Sequence, residues 1–227
     1  MKVGIIGSGG REHAICEILN KSNKVNKLYC FPGNAGTAKI AKNVDIDLDN
    51  FIKIKNFILN EKIDLIVVGP EKPLVNGITD YLEKFKIKVF GPNKLASQLE
   101  GSKIFTKKIC KNFNIPTAKF GIFKNKTKAK KFLNRSNFPI VIKADNLASG
   151  KGAYSPSRLI SKKLEKKIIS KIILPTLKAL KKLGTNYKGF LYAGLMIVKD
   201  EPYLIEYNVR MGDPECQTIL PLLKTRL

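Results

Sequence analysis

The chain has 227 residues, 42 of them basic and 18 acidic, for a formal net charge of +24, and 44% of it is hydrophobic. That apolar content is ordinary for a chain that buries a core, so wholesale disorder is excluded, and the length suits one large or two small domains. Only five basic residues are Arg, Trp is absent and the Lys is spread along the chain, whereas nucleic-acid readers lean on Arg and on interleaved aromatics; the charge therefore reads as compositional drift, with non-specific affinity for polyanions at low salt.

In chain order, Lys2–Gly7 is a β-rich run met at once by glycines and charges, which fits a buried strand and not a signal peptide. Glu12–Leu19 has helical spacing, and Lys27–Phe31 is a second strand. The loop Pro32–Gly36 and an irregular stretch to Asp49 follow. Phe51–Asn60 reads as a helix, Ile63–Val68 as a strand, Gly77–Phe85 as a helix and Ile87–Phe90 as a strand. Apolar runs such as Ile63–Val68, interrupted by Asp64, are far too short to span a bilayer. Strands that are apolar throughout and alternate with helices predict a parallel sheet covered on both faces. Residues 1–92 are thus expected to form a doubly wound, Rossmann-like domain, and Gly91-Pro92-Asn93 to open a second domain over 93–227. There Leu95–Phe113 is helical, Ala118–Phe123 extended and Lys126–Asn134 helical, and Pro139–Lys143 is a strand entering the loop 144–152. Leu159–Leu183 is a long helix with a kink expected at Pro175. Phe190–Val198 and Pro202–Tyr207 are strands joined by a turn at Asp200-Glu201, and a last helix starts near Pro214. The cysteines at 16, 30, 110 and 216 form no CxxC pair, which argues against a disulfide framework or zinc site and for a reducing cytosol. A cytoplasmic chain without a membrane segment is expected.

Four segments carry chemistry. Gly7-Ser8-Gly9-Gly10-Arg11-Glu12-His13 sits between a strand and a helix, where glycines let the backbone approach an anion and the helix N-terminus offers free N–H groups. A tight structural turn and a phosphate site fit these residues equally. NAD binding fits least, because the third glycine directly follows the second and Phe31-Pro32-Gly33 stands where an acidic ribose partner belongs. His13 reads as a structural or capping group. The second segment, Gly69-Pro70-Glu71-Lys72-Pro73-Leu74, lies at the carboxyl end of a strand, where open α/β sheets bind ligands, and presents Glu71 on a rigid loop; a surface turn is the plain alternative. In the third, Lys143 ends a strand ahead of Gly150-Lys151-Gly152, a way to grip nucleotide phosphates without Walker spacing; a solvated edge lysine is the alternative. In the fourth, Glu206 and Asn208 are two apart on a strand and share a face, offering hard oxygen ligands for Mg²⁺, and Arg210 beyond them can clamp a carboxylate or phosphate. A buried strand ending in Glu, Asn, Arg and Asp is hard to explain as packing.

The segments GSGGREHA (7–14), PGNAGT (32–37), GPEKPLVNG (69–77), FGP (90–92), LEGSK (99–103), KADNLASGKG (143–152), GAYSP (152–156), YAGLM (192–196) and EYNVRMGDPE (206–215) together make the chain resemble the phosphoribosylamine–glycine ligase (glycinamide ribonucleotide synthetase) family of the ATP-grasp superfamily, in order and over nearly its whole length. The resemblance implies an α/β fold, a doubly wound domain followed by an ATP-grasp domain. It implies an ATP-dependent C–N ligation in which glycine's carboxylate is phosphorylated and the amine of 5-phosphoribosylamine displaces phosphate, giving glycinamide ribonucleotide. ATP and Mg²⁺ or Mn²⁺ are the implied cofactors. Glycine, 5-phosphoribosylamine and ATP are the implied small-molecule partners, with no specific nucleic acid, and a monomer is expected. By position, Glu206 and Asn208 resemble the metal ligands, and Lys103, Lys143, Gly150, Lys151 and Gly152 the ATP contacts. Arg210, Asp213 and Glu215 would line the acyl-phosphate and glycine side. Gly7, Gly9, Gly10 and Arg11, with Gly69, Pro70 and Glu71, would hold the sugar phosphate.

The departures are as informative. In the family, the segments matching KADNLASGKG and GAYSP are separated by most of the lid subdomain; here they meet at Gly152–Ala153. The family's C-terminal domain has no counterpart, and Arg226 stands where relatives usually carry Asp. The expectation is an abridged ATP-grasp domain lacking most of its lid, with weak or no ligation. The alternatives are another ATP-grasp carboxylate–amine ligase and a non-catalytic nucleotide or polyanion binder.

Overall fold

The structure, a computed structural model, describes residues 1–136, 140–145 and 160–223. The chain divides into two compact units, one of Met1–Ser97, Thr185–Tyr192 and Asn208–Leu227, the other of Gln98–Gly184 and Ala193–Tyr207. In the first, β1 (Lys2–Gly7), α1 (Gly10–Asn20), β2 (Lys27–Pro32), β3 (Lys42–Asn43), α2 (Phe51–Glu61), β4 (Leu65–Val68), α3 (Glu71–Asn76), α4 (Ile78–Glu83) and β5 (Val89–Phe90) follow one another. The strands form one parallel sheet in the order β3-β2-β1-β4-β5. Burial explains the order. Every residue of β1 after Lys2 is buried, as a strand in the middle of a sheet covered on both faces must be. Successive residues of β2 serve the two faces: Leu28 and Cys30 join Val3, Ile5, Ile15 and Cys16 in one core cluster, while the rings of Tyr29 and Phe31 meet Phe57 of α2 edge-on at 5.7 and 5.5 Å. Leu220 and Cys216, from α10 (Glu215–Ile219) and the 3₁₀ turn after it, complete the first cluster.

Two differences from the sequence reading fall here. The stretch expected to be irregular holds β3, whose Lys42 and Asn43 pair with Tyr29 and Cys30; a two-residue exposed edge has no apolar signature to read. The segment Gly69–Leu74, expected as a loop, enters α3 at Glu71, with Pro70 as its N-cap. Pro73 fits inside the first turn, where backbone N–H groups need no helical partner.

The second unit holds the latter half of α5 (Lys94–Gly101), then α6 (Lys103–Asn112), α7 (Lys126–Leu133), α8 (Lys162–Ile168), a π-helical turn (Ile169–Ile173) and α9 (Leu174–Lys182). The strands β6 (Tyr192–Val198) and β7 (Glu201–Asn208) form a two-stranded sheet. The single helix expected over 95–113 is broken at Ser102, whose hydroxyl accepts from Phe105 N–H and so caps α6. The kink expected at Pro175 takes the form of the π turn directly before α9, which loosens the ladder where proline has no N–H to give. The β6–β7 turn is Lys199-Asp200, not Asp200-Glu201: both residues have positive φ, 49° and 64°, as a two-residue type I′ hairpin requires. Residues 140–143, expected in a strand, pair with no strand among the described residues, and Val141 and Ile142 stand 77% and 80% exposed. All four cysteines are free and buried. Among the described residues no helix is long and apolar enough to cross a membrane.

Candidate active site

Strand order in the first unit reverses between β1 and β4, and an open α/β sheet takes its ligand beyond the carboxyl ends of such a pair. The two glycine segments lie there. Gly7 ends β1 with φ of +129°, and Gly69 follows β4, its N–H donating to Ile6 at 3.0 Å. Between them sits Glu12, 1% exposed. Its Oε2 accepts from Gly9 N–H at 2.5 Å, which caps α1. A β-carbon on Gly7 would stand 2.5 Å from the Glu12 carboxyl carbon, and one on Gly69 would stand 1.9 Å from its Oε1. The glycines are required because this carboxyl fills the space a side chain would take. Burial is the main cause that pushes the Glu12 pKa up, against the pull of neighbouring Arg11. Sequence reasoning passed over Glu12. A Glu three residues after an N-cap is a capping-box signal, and it was there to be found.

A chain of charges runs out from Glu12. Arg11 Nε lies 3.8 Å from Glu12 Oε1, Arg11 Nη2 3.8 Å from Glu71 Oε2, and Arg210 Nε 3.3 Å from the same Glu71 oxygen. Both guanidinium groups also donate to the Met211 carbonyl, at 3.4 and 3.2 Å. Arg11 and Arg210 line a small cleft with Val68, Gly69, Phe90 and Met211. Arg11 and Arg210 thus bring two fixed cations to Glu71 at the cleft, a pairing that can also receive an anion. Of the other residues singled out, Asp213 accepts from Gln217 Nε2 at 2.7 Å, and Glu215 accepts from the Tyr192 hydroxyl at 3.3 Å and folds back over Gly212. Gln217 abuts Gly10, and Cys216 Sγ donates to the Arg11 carbonyl at 3.7 Å. The structure thus brings together Gly7, Gly9, Gly10, Arg11, Gly69, Pro70, Glu71 and the segment Arg210–Gln217. Asn34 braces the arrangement, its Nδ2 donating to the Ser8 carbonyl at 2.8 Å. His13 is paired with Glu17 one turn on, at 3.5 Å.

A separate set is held by the second unit together with Asn208, the last residue of β7. Lys143 Nζ lies 3.6 Å from Glu206 Oε2, both side chains being accessible. Asp145 accepts from Ile104 N–H at 2.9 Å and from the Ser102 hydroxyl at 3.0 Å, closing the start of α6 beside Lys103. Lys107, which sequence reasoning did not single out, hydrogen-bonds the Thr117 hydroxyl, and burial first, then the charge of Lys143, lowers its pKa. Asn208 ends β7 two residues after Glu206, which the pleat directs to the same side of the strand. A carboxylate and an amide oxygen are a donor set for a hard divalent cation that keeps phosphate and water ligands. No cluster of three or more His, Cys, Asp or Glu is found among the described residues. Gly150, Lys151 and Gly152 lie outside the described residues.

Residues 1–100 match the family model for the N domain of phosphoribosylglycinamide synthetase; 101–154 and 149–216 match, in two stretches, the model for its ATP-grasp (A) domain. Phosphoribosylamine–glycine ligase from Caldanaerobacter subterraneus subsp. tengcongensis is 38% identical over 302 positions, covering 99% of this chain and 72% of the relative. The enzyme of that name from Brucella melitensis is 36% identical over 303, covering 100% and 71%. The crystal structure of the Thermotoga maritima phosphoribosylamine–glycine ligase superposes with a TM-score of 0.80 at 27% identity, over 98% of this chain and 72% of that one. N5-carboxyaminoimidazole ribonucleotide synthetase from Thermus thermophilus shares the fold at a TM-score of 0.67 and 15% identity, over 96% and 73%. The first alignment is longer than the chain: its 302 positions hold at most 227 residues of this protein, so at least 75 positions of the relative face no residue here.

Proposed function

The chain belongs to the phosphoribosylamine–glycine ligase family, and on that premise we propose that its chemistry is the ATP-dependent joining of glycine to 5-phosphoribosylamine. The observation that carries this reading is the meeting of Arg11, Glu71 and Arg210 beyond the ends of β1 and β4. Two guanidinium groups over a glycine-walled turn suit substrates that carry a phosphate and a carboxylate. In this reading the Gly7–Arg11 and Gly69–Glu71 segments hold the sugar phosphate. Arg210, Asp213 and Glu215 hold glycine, with Arg210 neutralising charge as its carboxylate accepts the γ-phosphoryl group of ATP. The amine of phosphoribosylamine then attacks the acyl carbon, the C–N bond forms, phosphate leaves and the amine gives up a proton. Such chemistry needs positioning and charge neutralisation more than a nucleophilic side chain.

In the second unit Lys103 and Lys143, with Lys107 beside them, are the residues proposed to meet the ATP phosphates. Glu206 and Asn208 fit a divalent ion, Mg²⁺ or Mn²⁺, which when bound offsets phosphate charge. The ATP-grasp match breaks within 149–154, and we propose that the positions of the relatives that face no residue here fall at that break. We assign them to the lid over ATP, and this predicts ligation far below that of full-length relatives. The test is incorporation of labelled glycine into glycinamide ribonucleotide. Incorporation that needs ATP, a divalent ion and phosphoribosylamine together, and that disappears in Arg210→Ala, is expected. ATP cleavage indifferent to glycine would contradict the reading.

A further inference from the structure

The net charge is not shared evenly. Between residues 101 and 199 the sequence holds 24 Lys and Arg but only two acidic residues, Asp145 and Glu165, while the first hundred residues hold 15 basic and 11 acidic ones. Uniform drift toward lysine would leave the acids evenly distributed, and it does not thin them in one stretch alone. Within the second unit the charge is densest around α7. Lys124, Lys126, Lys128, Lys130, Lys131 and Arg135 are all exposed, α7 has no buried residue, and 101–144 contains no acid at all. Lys126 and Lys130, and Lys128 and Lys131, stand four and three apart on α7, spacings at which like charges repel and weaken a helix. No salt bridge to these six residues is found among the described residues. An external polyanion would relieve that repulsion. Beside the lysines two rings pack against each other at a tilt of 50°: Phe123 and Phe132, 40% and 37% exposed, have centroids 5.1 Å apart. At 100° per residue, Phe132 lies next to Lys128 on the helix surface. Exposed aromatic faces edged by ammonium groups are the two components of sequence-tolerant single-strand binding, base stacking and phosphate contact. An anionic membrane surface fits less well, since the only apolar side of this eight-residue helix is Ala129, Phe132 and Leu133.

We propose that the face around α7 binds single-stranded nucleic acid, its lysines meeting phosphates and Phe123 and Phe132 taking stacked bases. The proposal stands apart from the ligation reading, because neither ring nor any of these cations belongs to the residues assigned to it. The test is fluorescence anisotropy of the full chain with a labelled mixed-sequence 20-nucleotide RNA. Binding is expected to weaken by about 50- to 130-fold between 50 and 200 mM salt if four or five phosphates are engaged. Replacing Lys126, Lys128, Lys130 and Lys131 by Gln should remove most of that salt dependence. Phe123→Ala with Phe132→Ala should cost roughly tenfold or more in affinity with the salt slope kept. Replacing the exposed Lys21, Lys24, Lys39 and Lys84 of the first unit by Gln removes the same charge and should change affinity far less. Circular dichroism and melting temperature establish that each variant is folded. Absence of binding at 50 mM salt overturns the proposal, and so does equal weakening by the two lysine sets. Equal competition by polyphosphate or by phosphatidylserine vesicles, with the phenylalanine pair indifferent, would overturn it in favour of a bare polyanion or a membrane.

Discussion

Glu12 shows how one side chain dictates the backbone around it. Its buried carboxyl occupies the volume that side chains at positions 7 and 69 would need. Gly69 does not have a left-handed backbone, so Gly69→Ala should act through this collision alone, costing about 1–3 kcal/mol as an overpacked site does. Glu12→Ala made together with it should recover part of the loss. Urea unfolding of the two single variants and the double variant should give a coupling of about 0.5–3 kcal/mol, and strict additivity would show that the two residues do not meet. The pH dependence follows from the raised pKa of the same group. A carboxyl whose pKa is higher folded than unfolded favours the native state in its protonated form; that contribution is complete below the ordinary value near 4.5 and is lost as pH rises through the folded value. Glu12→Gln keeps an acceptor for Gly9 N–H but cannot ionise. Its melting temperature should therefore gain on the parent protein's as pH is raised from 4.5 toward 8, whereas a constant gap would contradict the buried-carboxyl account.

At the scale of elements, Glu201 ties the start of β7 to the irregular part of the long helix. It accepts from Lys167 of α8 at 2.6 Å and from Lys171 of the π turn at 2.5 Å, and these lysines, Lys167 first, pull its pKa down to about 2. The sign is opposite to that of Glu12: the stabilisation is present above the ordinary carboxylate value and fades as pH falls toward 2. Glu201→Gln should flatten the acid side of the melting profile, and salt should erase the difference because the pair is accessible. An acid limb unchanged by the substitution would show that the lysines contribute nothing there. The same elements show what the sequence made legible. β1, β2 and β4 were readable because a central parallel strand must be apolar along its length, and the two glycine segments because they follow such strands. β3 has no apolar residue to reveal it. α3 was hidden by prolines that suit a first helical turn as well as a loop. Val141 and Ile142 carry a strand's composition, but a strand also needs a neighbour to pair with, and composition cannot supply one. Of the site, the motif residues were legible as types. The bridging of Arg11 and Arg210 by Glu71 was not, since it joins positions 60 and 139 residues apart and depends on strand order.

For the whole molecule, the comparisons change the meaning of length. A chain of 227 residues that aligns with a relative over 302 positions holds the cleft-lining arginines and the Glu206-Asn208 strand, and on the proposed reading it lacks the cover that excludes water from ATP and fixes its phosphates. Lids of this kind complete a catalytic arrangement and sequester it from solvent, and misplacement of reacting groups by an ångström already costs about 100-fold. The most direct measurement is phosphate release with ATP, Mg²⁺, glycine and phosphoribosylamine, run beside the full-length Thermotoga maritima ligase. A rate that depends on all the substrates and lies about 100-fold or more below that enzyme's is the predicted result. Equal turnover by the two proteins would contradict the account.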